Sequence, residues 1–227
     1  MLLDLDGTLV DHDAALREGL IGWLTSDQLA TGQQRLDELV QVWDDVAERH
    51  FPAFRARDIS FQEQRRRRLR DFLPQVGIDA GQLDEATLDR TFEAYLRHYE
   101  AAWRPFDDAA PCLEALGHLR LAVLSNGDQE QQEDKLRRTH LAHHVEMVLT
   151  SSSLGASKPR PEAFVLACRR LGVDPATAVH VGDRLDVDAR PATAAGLRGV
   201  WLDRRGTASE GYQPTITSLA DLAGLLG

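Results

Sequence analysis

Apolar residues recur along this chain with two different periods. Between residues 12 and 102 they follow the i, i+3, i+4, i+7 template of amphipathic helices. Leu16, Leu20 and Leu24 form one stripe; Leu36, Leu39, Val40, Trp43, Val46, Ala47 and His50 form a second. Leu69, Phe72, Leu73 and Val76 form a third, and Leu88, Phe92, Tyr95, Leu96, Tyr99 and Trp103 a fourth. Gly32, Pro52, Gly77 and Gly81 punctuate them, so the pattern predicts an all-helical block of about four helices.

After Pro105 short apolar runs alternate with helical stretches. The pattern predicts a helix over 111–119, a strand over 121–124, a polar helix over 129–139 and a strand over 145–150. A helix over 161–171 follows, with Pro161 where a first-turn proline is tolerated, then a strand over 178–181. A helix ends at Gly196, a strand spans 199–202, and a last helix spans 219–226. Residues 1–5 read as a further strand. Only three residues precede Asp4, whereas strands usually run about five or six, so this is a stub or the end of a strand that starts upstream of Met1. Alternating strands and helices imply an α/β fold, a Rossmann-like parallel sheet with helices on both faces. Its first strand precedes the helical block and the others follow it. The expected domains are therefore 1–11 with 103–227 for the α/β core, and 12–102 for an inserted helical domain. No internal repeat or low-complexity linker interrupts this plan.

Composition narrows the partners. The 227 residues are 43% hydrophobic and 27% charged, ordinary for a globular protein, and the net charge is −10. That charge argues against nucleic acid, which requires a basic face. There is no apolar run of about 18 residues and no basic-then-apolar leader, so neither a membrane span nor a signal peptide is expected. Cys112 and Cys168 lack metal-ligand spacing and read as buried or idle thiols, which suits a cytoplasmic location.

The chemistry gathers at the ends of the predicted strands. Asp4 and Asp6 are one residue apart in Asp4-Leu5-Asp6-Gly7-Thr8-Leu9. Two close carboxylates repel unless a cation intervenes, and such pairs suit a metal site or a nucleophile beside a general acid. Ser125 and Asn126 end the second strand, Lys158 follows the third, and Asp183 ends the fourth with Asp188 five residues on. In a parallel sheet these ends share one edge. Together they supply a nucleophile, an acid, a hydroxyl, a fixed cation and a carboxylate cage, the parts that phosphoryl transfer uses. The absence of His and Cys among these ligands points to Mg²⁺ rather than Zn²⁺.

These motifs resemble those of the haloacid dehalogenase (HAD) superfamily: Asp4-Leu5-Asp6-Gly7-Thr8, Leu124-Ser125-Asn126, Ser157-Lys158-Pro159, and Gly182-Asp183 with Asp188. Ser125-Asn126-Gly127 is similar to the second motif of its phosphatase and nucleotidase branch. The resemblance spans essentially the whole chain and implies that the helical block is a cap domain. It implies that Asp4 attacks phosphorus and that Asp6 protonates the leaving oxygen and then activates water. Mg²⁺ is expected on the Asp4 carboxylate, the Asp6 backbone carbonyl and Asp183, with Asp188 orienting that shell. Thr8, Ser125, Asn126, Gly127 and Lys158 are the expected substrate contacts. The implied activity is hydrolysis of a small phosphorylated metabolite by a monomer or homodimer. The alternatives are a 2-haloacid dehalogenase, whose branch typically lacks an Asp at the position of Asp6, a non-catalytic binding module on the same scaffold, and a phosphomutase. Pro191 stands where the family's fourth-motif helix often carries glycine, which requires that helix to start late.

Other conspicuous residues are given quieter roles. Arg65-Arg66-Arg67-Arg68 is read as solvated surface, because consecutive helical residues point about 100° apart. His12 is read as an exposed histidine close to the first motif, and His143-His144 as surface. Trp43 and Trp103 are assigned to the core of the helical block, and Lys158 is the one cation expected near the acidic cluster.

Overall fold

The computed structural model describes residues 1–56, 58–206 and 211–226. The chain divides into two compact units, Met1–His12 with Trp103–Gly227, and Asp13–Ala102.

The first unit is built on six parallel strands: β1 (Leu2–Leu3), β2 (Ala122–Ser125), β3 (Met147–Thr150), β4 (Val179–Gly182), β5 (Arg198–Leu202) and β6 (Thr215–Ile216). Their order is β3-β2-β1-β4-β5-β6. The chain fills one side of β1 and then crosses to the other. The ends of β1 and β4 therefore flank the point where the winding reverses, which is where open α/β sheets bind ligands. Leu3 and Val123 face one apolar layer with Leu113, Leu136 and Leu222, while Leu2 and Leu124 face another with Phe164, Cys168 and Leu171. The alternation of neighbours along a strand thus serves both faces.

The predicted strand over 1–5 is shorter in the structure. Asp4 N–H still donates to the Val181 carbonyl at 2.9 Å, but the N–H groups of Leu9 and Val10 then both turn back to the Leu5 carbonyl, at 2.9 Å each. The backbone curls at Leu5, and Gly7 takes the left-handed φ of 84° that the curl demands.

The α-helices among the described residues are α1 (His12–Ser26), α2 (Gln33–Arg55), α3 (Phe61–Phe72), α4 (Glu85–Ala101), α5 (Ala109–Ala115), α6 (Gln129–Arg138), α7 (Ser151–Leu154), α8 (Pro161–Leu171), α9 (Arg190–Ala194) and α10 (Leu222–Leu226). β6 and α7 were not expected, and each is too short to show a period. Pro191 sits in the first turn of α9, after a widened turn over Leu185–Ala189, so the late helix start that proline requires is present.

The second unit packs α1 to α4 around Trp23, Trp43, Phe72, Phe92 and Tyr95. Trp43 lies 4.8 Å from Phe72 and 4.7 Å from Tyr95, ring centre to ring centre, both edge-on. Pro52 does not end α2 as predicted. It lies within the helix, whose last turn closes through Ala56 N–H on the Pro52 carbonyl at 2.9 Å. A proline close to a helix end removes one bond without breaking the rest. The arginine run is only in part the solvated surface expected of it: Arg67 is exposed, but Arg66 and Arg68 have partners. Arg68 is buried with its guanidinium 4.4 Å from the centre of the Trp43 ring, and Arg66 grips Asp89 with two bonds of 2.7 and 2.6 Å. Aromatic faces and the carboxylates of α4 give these cations partners that the run itself does not reveal. Trp103 belongs to the first unit, not to the helical core, and its ring lies 5.3 Å from Lys135 Nζ. Among the described residues no helix is long and apolar enough to cross a membrane.

Candidate active site

The structure brings Asp4, Lys158, Asp183 and Asp188 together at the C-terminal edge of the sheet. Lys158 Nζ donates to Asp4 Oδ1 and to Asp188 Oδ1, 2.6 Å each, and all three side chains are buried. Asn126 delivers the lysine. Its Nδ2 donates to the Lys158 carbonyl at 2.7 Å, and its Oδ1 accepts from the Lys158 N–H at 2.8 Å. The Asn126 side chain is therefore committed to joining two loops.

Asp188 is the best-held carboxylate. Besides Lys158 it accepts from the Arg184 N–H at 3.2 Å and lies 3.0 Å from His180 Nε2. His180 is buried on β4 and its Nδ1 has no hydrogen-bond partner among the described residues. Nε2 is thus the protonated nitrogen of a neutral ring, and burial holds the imidazole below its ordinary pKa. Burial favours the neutral form of Asp188, but Lys158 and His180 overcome it and keep the acid well below the usual carboxylate range.

Asp183 is placed by its backbone: its N–H donates to Thr8 Oγ1 at 3.1 Å, and its carbonyl accepts from Trp201 Nε1 at 3.0 Å. Thr8, expected to touch substrate, is fully buried, and its hydroxyl oxygen accepts this hydrogen bond. A Cβ on Gly7 would stand 2.5 Å from Asp183 Oδ2, so the glycine is needed for this approach as well as for its φ. Burial and the neighbouring Asp188 charge push Asp183 up to about 7. Burial likewise drives Asp4 far above the carboxylate range; Lys158 opposes this, and the charges of Asp188 and Asp183 add to it.

Oxygen atoms of Asp4, Asp183 and Asp188 all lie within 4.8 Å of one another. A divalent ion that prefers oxygen donors fits this set, and it would supply the positive charge that Asp4 and Asp183 need to stay ionised. The Asp6 carboxylate stands apart from the group. Its Oδ1 accepts from Lys135 Nζ and its Oδ2 accepts from Gln132 Nε2 at 2.7 Å. His12 Nδ1 is 3.7 Å from Oδ1. Although burial raises Asp6, Lys135 and His12 outweigh it and hold the acid well below its ordinary value. Lys158 is therefore not the sole cation beside the acidic cluster. Ser125 Oγ accepts from Gln132 Nε2 at 2.8 Å and from the Gly127 N–H at 3.1 Å.

Gln132, Lys135 and His180 escaped the sequence reading. A signal existed for the first two: α6 reads QEQQEDKLRR, whose only apolar residue is Leu136, so a helix packed on the sheet must also turn polar side chains inward.

A family model of haloacid dehalogenase-like hydrolases matches residues 1–196, and the chain belongs to that family. Phosphatases stand among its relatives. It is 41% identical over 105 residues to a glyceraldehyde 3-phosphate phosphatase of Methanopyrus kandleri, covering 45% of each chain. It is 45% identical over 86 residues to a phosphoserine phosphatase of Thermus thermophilus, covering 38% of this chain and 34% of that protein. The chain thus matches less than half the length of these two relatives. A mouse N-acylneuraminate-9-phosphatase is 25% identical over 236 residues, covering 100% of this chain and 92% of the relative. Among solved structures, the HAD hydrolase YfnB of Bacillus subtilis, bound to magnesium, shares the fold with a TM-score of 0.82 at 22% identity, covering 99% of this chain and 96% of that one. A 2-haloacid dehalogenase of Pseudomonas syringae pv. tomato has a TM-score of 0.68 at 29% identity, with the same coverages of 99% and 96%.

Proposed function

We propose that this hydrolase is a Mg²⁺-dependent phosphatase of small phosphate monoesters that works through an aspartyl-phosphate on Asp4. The observation that carries the reading is Asp6: a second carboxylate two residues after the buried nucleophile, held by its own cation and amide. Attack on phosphorus produces a leaving alkoxide that needs a proton, and a nearby acid answers that need. Asp6 is ionised in the unliganded site, and the negative charge of a bound phosphate raises its pKa so that it enters the reaction protonated. Asp4 attacks phosphorus, the bond to the leaving oxygen breaks, and Asp6 gives that oxygen its proton. Water then attacks the phosphorus, Asp6 takes the proton back, and the bond to Asp4 breaks to release orthophosphate. Lys158 and the Ser125 hydroxyl neutralise the phosphoryl oxygens. Asp4 and Asp183 would hold the metal together with the Asp6 carbonyl, while Asp188, with its oxygens already engaged, orients Lys158. The metal supplies charge stabilisation. On its place in the sequence between β1 and β2, residues 13–102 would be the family's cap. The free, buried Cys112 and Cys168 suit a reducing cytoplasm.

Dehalogenation is the second reading, favoured by the likeness to the Pseudomonas enzyme. That chemistry attacks carbon, has no leaving oxygen to protonate and uses no metal, so it leaves Asp6 and the Asp4–Asp183–Asp188 group unexplained. Phosphate release from a panel of metabolite phosphates and an aryl phosphate separates the two. We expect release that requires Mg²⁺, stops with EDTA and is abolished by Asp4→Asn. Activity surviving Asp4→Asn, or chloride released from a 2-chloro acid in EDTA, overturns the assignment.

A further inference from the structure

Strand β5 gives no side chain to the Asp4–Asp183–Asp188 group, yet two residues at its C-terminal end hold the backbone around it. Trp201 Nε1 donates to the Asp183 carbonyl at 3.0 Å. Arg204 Nη2 donates to the Thr8 carbonyl at 2.7 Å, across 196 residues of chain. Thr8 Oγ1 in turn accepts from the Asp183 N–H at 3.1 Å. These bonds close a circuit from β5 to the loop after β4, on to the turn after β1, and back to β5.

The Arg204 guanidinium is itself fixed. Its Nη1 and Nη2 donate to Asp108 Oδ2 and Oδ1 at 3.0 and 2.9 Å, a two-bond grip that sets the plane of the group. The Phe106 ring centre lies 3.8 Å from the guanidinium carbon. Asp108 cannot shift either, because its Oδ2 also accepts from Ser218 Oγ at 2.7 Å and from the Leu219 N–H at 2.9 Å. Asp108 thus anchors the C-terminal segment without help from Thr8. The bond from Arg204 to the Thr8 carbonyl adds nothing to that anchor. It reaches instead the turn that carries Asp6 and Gly7, where the backbone passes so close to Asp183 that a Cβ on Gly7 would stand 2.5 Å from Asp183 Oδ2.

We infer that Arg204 is a positioning residue for the metal site: by holding the Thr8 carbonyl it fixes the turn after β1 against Asp183. It thereby sets the spacing between Asp183 and the oxygens of the first motif that a divalent ion would bridge. The inference rests on the Mg²⁺ reading above. It differs from a merely structural role in one measurable respect. A loosened turn weakens Mg²⁺ binding, whereas a loosened C-terminal anchor lowers only the melting temperature.

The test titrates Mg²⁺ calorimetrically into the metal-free wild type, Arg204→Met, Arg204→Lys and Ser218→Ala, and records the thermal midpoint of each. Removing a group that orients metal ligands typically costs about 10–100-fold in metal affinity, and we expect a loss in that range for Arg204→Met. Arg204→Lys keeps a positive charge beside Asp108, but an ammonium lacks the planar fork that serves Asp108 and Thr8 together. It should therefore recover the thermal midpoint more fully than the Mg²⁺ affinity. Ser218→Ala takes a donor from Asp108 and leaves Arg204 in place, so its thermal midpoint should fall with Mg²⁺ affinity unchanged. If Arg204→Met does not fold, Arg204→Lys decides; if neither folds, Arg204 is a folding anchor and the inference is overturned. Unchanged Mg²⁺ affinity in the Arg204 variants, or an equal loss in Ser218→Ala, overturns the positioning role and leaves the Mg²⁺ reading standing. A wild type that binds no Mg²⁺ overturns both.

Discussion

At the sheet edge Lys158 is buried between Asp4 and Asp188, 2.6 Å from each. In the helical unit Arg68 is also buried, but over the faces of Trp43 and Phe92, at 4.4 and 5.6 Å. One turn earlier in α3, Gln64 is fully buried with neither amide atom hydrogen-bonded among the described residues. The first region meets buried charge with opposite charge and the second with aromatic quadrupoles; among the described residues Gln132 in the first leaves only its Oε1 unmatched, whereas Gln64 in the second leaves both amide atoms unmatched. The contrast matters because the two kinds of burial respond differently to substitution. Removing one member of a buried ion pair strands the other, whereas removing an unmatched polar group relieves a cost.

The largest effect expected is at Lys158. Lys158→Met leaves Asp4 and Asp188 buried as neighbours without their cation and should destabilise the protein by about 3 kcal/mol or more at neutral pH. Arg68→Met keeps an apolar stem against Trp43 but forfeits the cation–π attraction, about 2 kcal/mol when desolvated, with its hydrogen bond to Tyr95 and its attraction to Asp44. Because Asp44 is only half-buried, the loss should stay below that at Lys158. Urea unfolding of both variants orders them. An Arg68→Met loss as large as that of Lys158→Met would erase the distinction between the regions.

The next prediction has the opposite sign. Gln64→Met keeps the length of the side chain and removes an amide with no bonded partner. It should stabilise the helical unit by about 1 kcal/mol, because a buried unsatisfied group costs about 1–3 kcal/mol. The same change at Gln132 should destabilise, since Asp6 and Ser125 lose a donor. Differential scanning calorimetry reads both. A Gln64→Met variant that melts lower would mean that the amide is bonded through ordered water.

The same contrast explains what the chain discloses before it folds. Asp4, Asp183 and Asp188 were legible because strand ends in a parallel sheet share an edge, so spacing along the sequence becomes proximity in space. Lys158 was legible for the same reason. Lys135 and Gln132 were not, because they lie on a helix that is hydrophilic all round, and only the sheet it packs on decides which polar residues turn inward. Arg68 was misread for a related reason: four consecutive arginines point in all directions, and the aromatic stripe that receives one of them comes from other helices. The long helical periods of α1 to α4 survived intact, whereas β6 and α7, of two and four residues, carry no period to read. Thr8 is placed by a contact that its position in the chain does not reveal: its hydroxyl oxygen accepts from the Asp183 N–H, 175 residues away.

The smallest effect expected concerns a half-buried carboxylate in the helical unit, Asp44. Burial pushes Asp44 up to about 6, with Asp13, Asp45 and Glu48 adding to the shift and Arg68 opposing it. In the unfolded chain the same group titrates near 3.8. Below about pH 4 both states hold the proton and Asp44 contributes nothing to the pH dependence of stability. Between pH 4 and 6 the unfolded chain gives up its proton while the folded chain retains it, so stability falls as pH rises. Above about 6 both are ionised and the cost of the half-buried charge is fully present. The shift alone would correspond to about 3 kcal/mol at about 1.4 kcal/mol per pKa unit, but a half-buried group is screened by solvent, which reduces the expected cost to about 1 kcal/mol. Asp44→Asn should therefore leave stability unchanged at pH 4 and raise it by about 1 kcal/mol at pH 7.5. Urea midpoints at the two pH values check this. A gain of equal size at both would mean that the substitution acts through packing, and a loss at pH 7.5 would mean that the attraction to Arg68 outweighs burial, which would bring the helical unit under the same rule as the sheet edge.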